Sequence, residues 1–198
     1  PSLLDNNNDI PNFILSQLTL TDQVVLIGPP GTGKTYQIAE ICKRLCGQGK
    51  SVLVTSLTNR ALIEVIEKPA LENMLDEGKV FKTKISTDEA KEFPSLQQTK
   101  EVNPQPGNLV LSTFFIASSE AVNLTDKPPF DYVIVDEASQ ALLAMFGAAK
   151  LLGKKNIWIG DTKQLPPVVA INADKVSKKN YDILVDGLKA LSDTSSVP

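Results

Sequence analysis

An open α/β fold with a mostly parallel central sheet is predicted by three observations. Five short, continuous, mostly β-branched apolar runs alternate with amphipathic helical patterns. Each run is followed directly by a polar cluster able to do chemistry. The first of these clusters, Gly28-Pro29-Pro30-Gly31-Thr32-Gly33-Lys34-Thr35, is a complete phosphate-binding loop sequence set between an apolar run and a helical stripe.

The runs are Val24–Ile27, Val52–Val54, Leu109–Leu111, Tyr132–Val135 and Ile157–Ile159. Their continuity suits strands covered on both faces, as in a parallel sheet. After the first, Ile38, Ile41, Cys42, Leu45 and Cys46 form one helical stripe that Gly47 and Gly49 end. Ala61, Leu62, Val65 and Ile66 form another, which continues to Leu71, Met74 and Leu75 after a break at Pro69. A third comprises Ala141, Leu142, Met145, Phe146 and Ala149 and stops near Gly153. Residues 79–85 alternate polar and apolar, the pattern of a half-exposed or edge strand. The polar stretch Pro94–Asn108, with three prolines, reads as a long surface excursion. One domain over 1–198 is expected, with room for a small insertion around 79–108.

Composition narrows the function classes. At 198 residues the chain is long enough to bury a proper core. No apolar run approaches the ~20 residues of a membrane span, and the Pro1-Ser2-Leu3-Leu4-Asp5 start lacks a secretory pattern. An intracellular address, cytoplasmic or nuclear, and no membrane partner are therefore expected. Cys42 and Cys46 have no histidine or further cysteine to complete a zinc site, so both read as small buried apolar residues. The net charge of −3 argues against electrostatic wrapping of duplex DNA, which favours basic proteins. A nucleic-acid partner would need a local track of donors.

The residue types of the loop explain its chemistry. Glycines at 28, 31 and 33 let successive amides point at phosphate oxygens, with Pro29, Pro30 and Thr32 completing the cradle. Lys34 reaches the β- and γ-phosphates, Thr35 offers a hydroxyl to Mg²⁺, and the following helix adds its positive end. Asp136 ends an apolar run, where a carboxylate holds Mg²⁺ opposite Thr35. Glu137 is placed to polarise an attacking water as the hydrolytic base. Two adjacent acids also suit a solvated helix start; the complete upstream loop favours the catalytic reading. Gln140 and Gln164 are candidates to sense the γ-phosphate, since an amide donates to phosphate while accepting from water. A capped turn before Pro166-Pro167 is the plainer role for Gln164.

Gly-Pro-Pro-Gly-Thr-Gly-Lys-Thr at 28–35, Thr-Asn-Arg-Ala at 58–61, Asp-Glu-Ala-Ser-Gln at 136–140 and Gly-Asp-Thr-Lys-Gln-Leu-Pro-Pro at 160–167 resemble motifs I, Ia, II and III of superfamily 1 helicases. The last two look like the nonsense-mediated-decay and senataxin branch. The resemblance implies a RecA-like first motor domain, ATP and Mg²⁺ as cofactors, and single-stranded RNA or DNA as a track followed 5′ to 3′. It also implies nucleic-acid backbone contacts by Thr58, Asn59, Ser112 and Thr113, with Arg60 adding a phosphate contact; N-capping by Thr58 or Asn59 is the local alternative. Phe114 and Phe115 could stack on bases, but two phenylalanines at a strand end read more simply as core. Two departures stand out. Pro11 occupies the place where the family reads adenine with a glutamine, and Gln17 and Gln23 lie too close to the loop. No match follows to the second RecA-like lobe, whose arginines stabilise the transferring phosphoryl group, an effect worth ~10³–10⁵ in related hydrolases. The chain alone is thus expected to bind ATP·Mg²⁺ and to hydrolyse it slowly. An AAA+-type ATPase shares the loop and acid pair but has an asparagine or threonine where Gln164 stands. A nucleotide-gated binding module, contacting partners through 79–108, is the non-enzymatic alternative.

Overall fold

The computed structural model describes residues 9–122, 127–141 and 143–161. Helix α1 (Ile10–Leu20) opens the described chain and leads into β1 (Gln23–Ile27), α2 (Lys34–Gly47) and β2 (Val52–Ser56). Next come α3 (Asn59–Ile66), a 3₁₀ turn at Pro69–Leu71, α4 (Glu72–Asp76), β3 (Val80–Lys82), α5 (Thr87–Glu92) and β4 (Gln97–Gln98). The remainder is β5 (Leu109–Thr113), α6 (Phe114–Val122), β6 (Phe130–Val135), a 3₁₀ turn at Ala138–Gln140, α7 (Leu143–Leu152) and β7 (Gly153–Gly160). The strands form one sheet in the order β1-β7-β6-β2-β5-β3-β4, with every pairing parallel.

Alternation along each strand divides the core in two. Val52, Val54, Leu109, Leu111, Ile157 and Ile159 pack under α1, α2 and α3. Leu53, Val110, Val133, Val135 and Trp158 face the other way, under α6 and α7. Helices therefore cover both faces, which is why the runs are continuously apolar. The α2 stripe is buried as expected, Cys42 and Cys46 included. Gly49, at φ 74°, turns the chain out of the helix. Helix α1 carries no clean stripe in sequence; Asp9 caps it by accepting from the Asn12 N–H at 3.2 Å and ion-pairs with Arg44 at 2.8 Å. None of the described helices is long and apolar enough to cross a membrane.

Two expectations are corrected. Residues 79–85 do not make an edge strand: β3 lies between β5 and β4. Its partner β4 comes from the stretch read as a surface excursion, and Leu96 and Val102 anchor that stretch in the core. Backbone pairing, which hydropathy does not register, holds both. Phe114 is core at 1% exposure, but Phe115 is 70% exposed. A helix starts at Phe114, and neighbours about 100° apart on a helix cannot both face the sheet.

At the amino end of the sheet, Asp131 accepts from the Ser51 amide (3.0 Å), the Ser51 hydroxyl (3.1 Å) and Lys154 (2.8 Å). Burial pushes its carboxyl up, but these donors outweigh it and hold the pKa below the ordinary 3.8. Nearby, β7 opens with Gly153, where a Cβ would lie 2.6 Å from Val133 Cγ2 and 2.9 Å from its Cβ. Gly153→Ala is expected to cost about 1–3 kcal/mol by overpacking, seen as a fall of several degrees in the thermal unfolding midpoint. An unchanged midpoint would show that this contact yields freely.

Candidate active site

With all strands parallel, their carboxyl ends share one edge, where ligands bind in open α/β sheets. The loop after β1 and the acids after β6 are separated by β7 alone, so about 10 Å of sheet lies between them. The loop is tied down at its start, where the Gly28 N–H donates to the Gly160 carbonyl at 3.1 Å. Gly31 (φ 78°) and Gly33 (φ 79°) sit in the left-handed region that other residues avoid, so the bend needs glycine there. Thr32 Oγ1 donates to Pro29 O at 2.8 Å. Lys34 Nζ donates to Gly28 O at 2.7 Å and Pro29 O at 2.8 Å, folding its ammonium over the loop. Thr35 lies in the first turn of α2, whose positive end faces the loop.

Asp136 is 6% exposed. Its N–H donates to Thr55 O at 2.9 Å, and its Oδ1 accepts from the Glu137 N–H at 2.9 Å. Burial is the chief reason its pKa is raised to about 6. The Glu137 N–H opposes that rise, the Glu137 carboxylate adds to it, and the Lys34 ammonium pulls it down. Lys34 and Asp136 thus lie within one electrostatic neighbourhood. Glu137 has φ 54° and ψ 34°, the left-handed conformation that costs an ordinary residue roughly 1–2 kcal/mol. It is the only non-glycine with positive φ among the described residues. The twist turns its carboxylate back toward β2, where Oε2 accepts from Ser56 Oγ at 3.0 Å. The acids also precede the 3₁₀ turn Ala138–Gln140, but Asp136 is buried, so the pair is not a solvated helix start. Gln140 is exposed on that turn, and the Asp161 N–H donates to Ser139 Oγ at 3.5 Å, tying it to the end of β7. Gln164 lies outside the described residues.

Ser56 was not singled out by sequence. Its signal is its place at the carboxyl end of β2: Thr55 pairs with Val135, so Ser56 stands beside Asp136. Which strand neighbours which was not readable from the runs.

The expected nucleic-acid residues gather further along the edge. Thr58 caps α3, its Oγ1 accepting from the Ala61 N–H at 3.2 Å. Asn59 Oδ1 accepts from Lys82 Nζ at 3.0 Å. Exposed Arg60 ion-pairs with Glu64 at 3.0 Å and Glu67 at 3.9 Å. Ser112 is fully buried and accepts from Thr83 Oγ1 at 3.1 Å, so Thr113, opposite Ser56, is the member of that pair nearer the surface.

Residues 14–170 match the family described as AAA domain. A DNA replication ATP-dependent helicase/nuclease, DNA2 of Saccharomyces cerevisiae, is 33% identical over 159 residues, covering 78% of this chain and 10% of that protein. A second, JHS1 of Arabidopsis thaliana, is 31% identical over 169 residues, covering 82% and 12%. The chain therefore spans about a tenth of the length of these curated relatives. Among solved structures, the Sulfolobus solfataricus SWI2/SNF2 ATPase core in complex with dsDNA has TM-score 0.50 at 16% identity, covering 76% of this chain and 30% of that one. The UvsW helicase of bacteriophage T4 has TM-score 0.50 at 10% identity, covering 75% and 50%; at these identities the likeness speaks to the fold. The chain belongs to the AAA-domain family, as the first RecA-like domain of the superfamily 1 helicase type.

Proposed function

We propose that this chain is the ATP-binding and ATP-hydrolysing half of a helicase motor that moves 5′ to 3′ along single-stranded nucleic acid. The observation that carries the reading is the placement of the phosphate loop and the acid pair on one sheet edge, after strands separated by β7 alone. The loop amides and Lys34 bind the β- and γ-phosphates. Thr35 and Asp136 offer oxygen donors, the hard ligand set that suits Mg²⁺, which neutralises charge on those phosphates when bound. Glu137, steered by Ser56, holds the attacking water and takes its proton, and Gln164 with Gln140 reports the γ-phosphate. Thr58, Asn59, Arg60 and Thr113 grip the strand by hydroxyl, amide and charge, which suits a chain of net charge −3. A second RecA-like lobe supplies the arginines for rapid turnover. DNA replication stands in the relatives' names, which favours DNA as the track.

ATP turnover measured with and without a single-stranded oligonucleotide tests the reading. Stimulation supports the motor; nucleotide binding without stimulation supports a nucleotide-gated module instead. Lys34→Ala is expected to weaken nucleotide binding by at least tenfold, since it removes the loop's only mobile cation. Retained tight binding of a fluorescent ATP analogue would overturn the assignment of the cradle.

A further inference from the structure

Lys82 is 1% exposed, a position that is costly for an ammonium unless all of its protons find partners. All three do. They go to Asn59 Oδ1 at 3.0 Å, to the Lys84 carbonyl, and to the Glu89 carboxylate at 3.2 and 3.3 Å. Glu89 is fixed in turn, because Oε2 accepts from the Ser86 N–H at 2.8 Å in the capping box that starts α5. The next residue, Thr83, donates to Ser112. Lys82, the last residue of β3, and Thr83 after it therefore hold residues of three other elements, α3, α5 and β5.

We infer that Lys82 is a positioning residue for the nucleic-acid track: it captures the side-chain oxygen of Asn59 and leaves that residue's NH₂ group as a donor for a backbone phosphate. An ammonium only donates, so the atom facing it must be the amide oxygen. Asn59 is exposed, and its NH₂ is the part of the amide left for a ligand. Lys82 has no proton left over, so it acts through Asn59 and touches no phosphate. This rests on the strand-binding reading proposed above and assigns β3 and α5 a part in it.

The test is fluorescence anisotropy of a labelled oligothymidylate with the full chain, over a salt series. Lys82→Met leaves Glu89 uncompensated and risks the fold, so the working variant is Lys82→Met with Glu89→Gln, which removes both charges together. It is expected to weaken binding about tenfold with an unchanged salt slope, whereas Arg60→Ala lowers the slope by about 0.7. In an Asn59→Ala background the same double change is expected to cost nothing further. Affinity for a fluorescent ATP analogue stays at the unsubstituted value throughout, which marks an intact fold. Additive losses, or a slope lowered by about 0.7 on removing Lys82, would overturn the inference. Oligonucleotide binding that ignores the Lys82 and Glu89 changes overturns this inference alone. No binding by the unsubstituted chain overturns it together with the strand-binding reading.

Discussion

Glu137→Gln is expected to retain ATP binding while turnover falls by about 10²–10⁴-fold, the usual contribution of a positioned general base. The substitution keeps size and removes the basic carboxylate. Ser56 Oγ, which donates to Glu137 Oε2 at 3.0 Å, can donate equally to the amide oxygen, so the side chain stays in place. The phosphate cradle sits on a different loop and is untouched. Single-turnover hydrolysis, with binding of a fluorescent ATP analogue measured in parallel, separates the two effects. Equal hydrolysis by both proteins would remove Glu137 from the chemistry. Ser56→Ala provides the companion measurement: it leaves the carboxylate but frees it from β2, so its loss in turnover is expected to be smaller and to vanish in the Glu137→Gln background. The left-handed backbone at Glu137 belongs to the same account, since it directs a side chain following β6 back across the edge toward β2.

The loop, the acid pair and five strands were legible because each is a local signal. A continuous run such as Ile157–Ile159 has to be covered on both faces, and a carboxylate closing such a run has to lie on the edge of the sheet. Lys82 was not legible. In an alternating segment a lysine reads as solvent-facing, and its burial depends on Glu89, past a bend, and on Asn59, from another element. Strand β4 is two glutamines long, so it carries no hydropathic signal and exists through its pairing to β3. Helix α1 was missed because its apolar residues, Ile10, Phe13, Ile14, Leu15, Leu18 and Leu20, spread around the axis. Local chemistry could be read from one segment at a time, but the partners that orient it came from strand order.

Asp136→Asn is expected to stabilise the nucleotide-free chain at neutral pH while abolishing Mg²⁺-dependent turnover. The carboxyl is buried and its pKa lies near 6 against the ordinary 3.8, so the folded state binds its proton more firmly than the unfolded state does. Between about pH 4 and 6 the folded chain therefore carries more protons, and stability falls as pH rises through that window. Above it the full cost is present, at most about 3 kcal/mol from the displacement of the pKa. Asparagine removes the charge, and its Oδ1 still accepts from the Glu137 N–H. The variant's unfolding midpoint should exceed that of the unsubstituted chain at pH 7.5, with the gap narrowing toward pH 5. A variant that is no more stable at pH 7.5 would mean that Lys34 and the Glu137 amide already offset the burial. On the proposed reading, a divalent cation held by Asp136 would compensate the charge that burial leaves poorly solvated, so the stability given up in the free protein serves a site ready to receive the metal.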